Sequence, residues 1–106
     1  MTVQEGLASL ADSEEKAFRN MRNALSRWYQ FGGKYLCGIE WAIEAKDPGR
    51  IKGEVCACFR ADDSGDINVV NPWGELASIL RIIRNQAQVV ENCRRLRQKI
   101  QNKQGE

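Results

Sequence analysis

From Asn71 to Gln104 the chain reads NPWGELASILRIIRNQAQVVENCRRLRQKIQNKQ, with no glycine or proline after Gly74. Nothing in that stretch interrupts a helix. A helix from Pro72 to Gln101 extends ~45 Å at 1.5 Å per residue, whereas a near-spherical domain of this length has a radius of gyration of about 13 Å. A single helix therefore outreaches any core that 106 residues can build, and part of it must overhang. This mismatch bears on assembly before it bears on chemistry.

Along the helix, Ile79, Ile82, Gln86, Val89, Cys93, Leu96 and Ile100 alternate spacings of three and four, the pattern of a helix-to-helix seam. The expected oligomer seam is Ile82, Val89, Cys93, Leu96 and Ile100. Leu76, Leu80, Ile83 and Val90 widen the apolar face of the first half enough to cover a sheet. The front of the helix is thus expected to close the core, and its tail to meet another helix of the same chain or of a copy. Asn71 suits an N-cap and Pro72 the first helical position.

Upstream, Val3, Leu7 and Leu10, then Ala17, Phe18, Met21, Leu25 and Trp28, recur at helical spacing. Asp12 or Ser13 can cap a helix, and Glu15 completes a capping box with Asp12. The reading is a lead helix over residues 1–12 and a main helix from about Ser13 to Gln30, stopped at Phe31-Gly32-Gly33. From Lys34 the period looks like two. Tyr35, Cys37, Ile39, Trp41, Ile43 and Ala45 fall on one face, with Gly38, Glu40 and Glu44 on the other. Asp47-Pro48-Gly49-Arg50 reads as a turn. Ile51, Val55, Ala57 and Phe59 then face away from Lys52, Glu54, Cys56, Cys58 and Arg60. A polar loop over residues 61–66 leads to a short third strand, Ile67 to Val70.

The expected fold is α+β: an N-terminal helix, a three-stranded antiparallel meander and a long C-terminal helix. One domain spans 1–106, divided into an acidic lead helix (1–12), an α+β core (13–90) and a basic helical tail (91–106). With 42% apolar residues the core is small, and an oligomer would help to stabilise it. The order of elements resembles that of the double-stranded RNA-binding domain. The second helix of that family opens with a lysine-rich motif and this one with Pro72-Trp73-Gly74-Glu75, so no family is assigned.

The formal charge of +2 is small, but it is segregated. Residues 1–15 carry Glu5, Asp12, Glu14 and Glu15 without a base, and residues 81–106 hold seven bases against two acids. The acidic start, with its apolar stripe, matches the basic tail electrostatically. Packing of the N-terminal helix along that tail is therefore expected, within one chain or in an intertwined dimer. The bases Arg81, Arg84, Arg94, Arg95, Arg97 and Lys99 are the candidate contacts to a partner or to nucleic acid. No aromatic interleaves the tail.

Catalytic groups are scarce. There is no histidine, and Glu40 and Glu44, taken as i and i+4 on a strand, stand roughly 13 Å apart. Gly32-Gly33-Lys34 lacks the preceding strand and the spacing of a phosphate loop, and residues 62–66 lack the order of a calcium loop. No C-x-x-C pair is present; the four cysteines are expected to be reduced, structural thiols, with no metal and no cofactor. The acidic first fifteen residues lack the apolar run of a secretory leader, and no stretch approaches the ~20 apolar residues of a membrane span. A cytoplasmic location is expected. Trp28, Tyr29, Phe31 and Tyr35 are the candidate exposed aromatics, of which one or two left uncovered would mark a protein or ligand interface, with Trp41 and Trp73 in the core.

These features are expected to serve a non-enzymatic, homo-oligomeric binding protein, most simply a dimer of the bacterial or phage accessory type, that regulates or inhibits a macromolecular partner by occluding its surface. The alternative is a DNA- or RNA-binding protein using the basic helix. A weaker alternative is a small anionic ligand held at a subunit interface near Arg19, Arg22 and Arg27.

Overall fold

The computed structural model describes residues 2–59 and 74–104. Among the described residues the regular structure is entirely helical: α1 Val3–Gln30, α2 Cys37–Glu44, α3 Pro48–Cys58 and α4 Glu75–Gln104. α1 packs along α4, α3 packs on α4, and α2 bridges α3 to α1. The two long helices are antiparallel. Asn20 Nδ2 donates to Gln86 Oε1 at 3.3 Å, while Glu14, earlier in α1, meets Arg94 and Arg97, later in α4.

The expected α+β fold and antiparallel sheet are overturned, because the first two strands of the meander are α2 and α3. In α2 the buried residues are Ile39, Ala42 and Ile43, spaced three and one, a helical face. Over eight residues the same letters also alternate, because Cys37, Ile39, Trp41 and Ile43 are all large or apolar. Trp41, expected in the core, points outward at 53% exposure. In α3 the buried residues Pro48, Ile51 and Val55 step by three and four. Asp47 and Pro48 open that helix. Asp47 is its N-cap, accepting from Arg50 N at 3.1 Å, and Pro48 takes the first helical position. A capped helix start and a type I turn ask for the same residues, which is why the sequence reads as a turn. The expected third strand, the Asn71 cap, Pro72 and Trp73 lie outside the described residues.

The expected break between a lead and a main helix is also absent. α1 runs through Asp12 and Ser13, both exposed on its surface. Its cap is Thr2, whose Oγ1 accepts from Glu5 N at 3.1 Å.

One cluster of buried side chains joins Ala17 to Trp28 of α1, the inner faces of α2 and α3, and Ile79 to Val90 of α4. At ~12 and ~16 Å, α2 and α3 cover only one end of the α1/α4 pair. No residue of 2–16 or of 94–103 is buried. The described chain accordingly measures 54 × 28 × 23 Å with a radius of gyration of 16.2 Å. The overhang implied by the sequence exists, and both long helices share it.

Candidate functional site

The end of α1 builds an aromatic corner. Gly33 N donates to Trp28 O at 2.9 Å and Gly32 N to Tyr29 O at 3.1 Å, the paired bonds of a Schellman stop. Gly32 takes φ +80°, which a side chain would oppose. Gly33 lies against the Trp28 indole, leaving no room for a Cβ. Trp28 is buried, and its Nε1 donates to Lys34 O at 2.6 Å. Gly32-Gly33-Lys34 is thus a helix stop locked onto a core tryptophan.

Of the four candidate exposed aromatics, Trp28 is core and Tyr29 is half-buried. Phe31 is 54% exposed and Tyr35 67%. Tyr29 Oη accepts from Leu36 N at 3.2 Å, and its ring stacks on Tyr35 with centroids 6.0 Å apart. Burial pushes the Tyr29 phenol up, and a hydrogen bond to the Glu40 carboxylate does the same for Tyr35. Trp41 joins this surface: the Arg50 guanidinium stands 4.1 Å over its ring, and Tyr35, Glu40, Trp41, Glu44 and Arg50 line one shallow hollow. The sequence reading missed Trp41 because it counted a strand face. Helical spacing, which sets Trp41 about 200° from both Ile39 and Ile43, would have found it.

A cavity of about 260 Å³ opens between Trp28, residues 34–39 and α3, with Cys37, Glu54 and Cys58 on its wall. Burial raises the Cys58 thiol above its ordinary value, Glu54 adds to this and Lys34 offsets it. Cys37 and Cys56 are exposed and Cys93 is buried; all four cysteines are free. Glu40 and Glu44, one helical turn apart rather than on a strand, share a second shallow cleft with Arg22 and Tyr29. The carboxylates there oppose the anionic ligand assigned to that region. Among the described residues no group of three or more metal-ligating side chains converges.

The basic tail divides. Arg94 Nε lies 3.6 Å from Glu14 Oε2, Arg97 pairs with the other oxygen of Glu14, and an Arg94 terminal nitrogen donates to Lys46 O at 2.9 Å. Arg81 stands 5.8 Å over the Phe59 ring. Arg84, Arg95 and Lys99 are exposed. The expected seam divides too: Cys93 is buried, Ile82 and Ile100 are half-buried, and Val89 and Leu96 are 38% and 49% exposed. Tail and acidic start thus meet within one chain, and an apolar edge is left over.

Comparison with known proteins places no relative beside this chain: no family model, no curated protein and no solved structure matches it.

Proposed function

We propose that the protein is a non-enzymatic, homo-oligomeric binding protein that regulates or inhibits a macromolecular partner by covering part of its surface, and that it meets a protein partner through the aromatic corner. The observation that carries this reading is the exposure of Tyr35 and Trp41, at 67% and 53%, around one hollow shared with Arg50. Tyrosine, tryptophan and arginine are the side chains that concentrate binding energy at protein interfaces. Here they are already positioned by the Tyr29 stack, the Glu40 hydrogen bond and the Arg50 contact, so little side-chain freedom is lost on docking.

Nucleic acid is the second reading. It is weaker because Glu14 occupies Arg94 and Arg97 within the chain, and because Phe59, the ring beside Arg81, is half-buried, which leaves little aromatic face among the described residues for a nucleotide to stack on. A cytoplasmic location is part of the proposal; four free cysteines suit a reducing compartment. Among the described residues no helix is long and apolar enough to cross a membrane.

Affinity capture from the source cell, with and without nuclease, tests the choice. A partner that survives nuclease and is lost on Tyr35→Ser with Trp41→Ser supports the proposal. A partner lost to nuclease and dependent on Arg95 and Lys99 reverses the ranking.

A further inference from the structure

With Ile39, Ala42 and Ile43 turned inward, α2 presents Cys37, Glu40, Trp41 and Glu44 on its outer stripe, at i, i+3, i+4 and i+7. At about 100° per residue both carboxylates lie to the same side of Trp41, roughly 60° and 100° around the helix. Side chains one turn apart stand ~5–6 Å from each other, so Glu40 and Glu44 form one anionic ridge beside the indole, on a helix that bears no base. Glu40 is half-buried and accepts from the Tyr35 phenol. Glu44 is exposed and, among the described residues, enters no ion pair. The Trp41 ring already holds a cation: the Arg50 guanidinium rests 4.1 Å from its centroid, drawn to the negative face of the π system. Arg50 covers one face only, and Trp41 is still 53% exposed. The charges lining the hollow are thus two carboxylates and one guanidinium, and that guanidinium is engaged by the ring rather than by either acid. Arg22 lies across the ridge, in the cleft with Tyr29.

We infer that this hollow receives an arginine side chain of the protein partner, its guanidinium laid on the free face of Trp41 and paired with Glu40 and Glu44. A guanidinium meets both demands of the site at once, because its plane stacks on an aromatic ring and its fork of donors matches carboxylate oxygens. A lysine ammonium brings the charge without the plane. A phosphate or carboxylate of a partner would face two like charges on the ridge, which disfavours an anionic occupant. The inference rests on the aromatic-corner reading and names the chemistry of the partner's contact there.

Titration of the isotope-labelled full chain with short capped peptides tests it, read from amide and indole N–H resonances. One peptide carries two arginines among glycines; the others carry lysines or glutamates at the same places. The arginine peptide should shift the Trp41 indole N–H and the amides of Tyr35, Glu40 and Glu44 saturably, and less tightly as salt rises. The lysine peptide should bind several-fold more weakly, and the glutamate peptide should leave these resonances in place. Glu40→Gln with Glu44→Gln should weaken the arginine peptide by at least about threefold, as should Trp41→Leu; the spectra of the variants show whether the fold is kept, and the wild-type titration stands without them. No saturable shift with the arginine peptide at about 10 mM, shifts at the exposed acids Glu5, Asp12 and Glu15 of α1 instead, or equally tight binding of the lysine or glutamate peptide overturns the inference. A protein partner that depends on Tyr35 and Trp41 but binds the Glu40→Gln, Glu44→Gln chain undiminished also overturns it, and leaves the aromatic-corner reading standing. A partner indifferent to Tyr35 and Trp41 overturns that reading and this inference with it.

Discussion

At the scale of single residues, three glycines separate space from strain. Gly53 lies inside α3 with nothing within 4 Å of an added Cβ, so Gly53→Ala should stabilise the fold by about 0.5–1 kcal/mol through helix propensity. Gly33 meets the buried Trp28 indole, which cannot retreat, and Gly33→Ala should cost about 1–3 kcal/mol. Gly38 meets only the movable carboxylate of Glu54, so its alanine variant should lie between these two. Urea unfolding of the three variants measures the order directly. The thiols add a pH dependence. Burial raises Cys58 and Cys93 above their ordinary value, with Glu54 and Glu14 adding to it and Lys34 and Arg97 offsetting it. Unfolded thiols ionise near pH ~8.5, so over the window above that value the unfolded chain holds fewer protons than the folded one. Stability from this source is complete below it and declines as the pH rises. The urea midpoint should fall on that alkaline limb, and fall less in a Cys58→Ala, Cys93→Ala double variant. An identical slope in the double variant would assign the effect elsewhere.

At the scale of elements, the junction between α2 and α3 is held by two adjacent devices. Lys46 takes φ +55° at the end of α2, with Lys46 N and Asp47 N donating to Ile43 O and Ala42 O, a Schellman stop without glycine. Asp47 then caps α3. Asp47→Ala should cost about 1 kcal/mol by leaving Arg50 N without its acceptor, whereas alanine at a two-residue strand turn would cost far less. Chemical denaturation of that variant therefore checks the all-helical assignment of this segment as well as the cap. The segment was misread because its elements are short. In eight to eleven residues a helical stripe supplies three or four inward positions, too few to distinguish a period of 3.6 from one of two. α1 and α4, at 28 and 30 residues, carry enough repeats for the period to be unambiguous.

At the scale of the whole molecule, the fold is a covered end and an overhang, and the two should differ in stability. The overhang is fastened by Glu14, whose carboxylate receives both Arg94 and Arg97. Side chains 30–40% exposed on the arginine side place the pair in the screened regime, so Glu14→Gln should cost about 1 kcal/mol. Amide exchange shows where that cost falls. Residues 3–13 and 95–104 should exchange faster in the variant, while Met21 and Ile83 in the core keep their protection. Uniform loss of protection along both helices would mean that Glu14 supports the core rather than the overhang.

The helical period of both long segments, the stop at Gly32-Gly33, the overhang and the meeting of acidic start with basic tail were legible in the sequence, but the continuity of α1 through Asp12 and Ser13 was not. Each legible feature follows from period, length or charge, quantities that a chain carries without reference to its neighbours. The identity of α2 and α3 was not legible, because an eight-residue apolar run satisfies two periods and only the surface it packs against selects one. Trp41 followed the same error: its exposure depends on which face of α2 the core takes, and the sum of contacts from α1 and α3 decided that. The exclusion of Trp28 from the exposed aromatics also belongs to tertiary structure, since the carbonyl of Lys34 that satisfies its indole N–H reaches it only after the chain has turned at the two glycines.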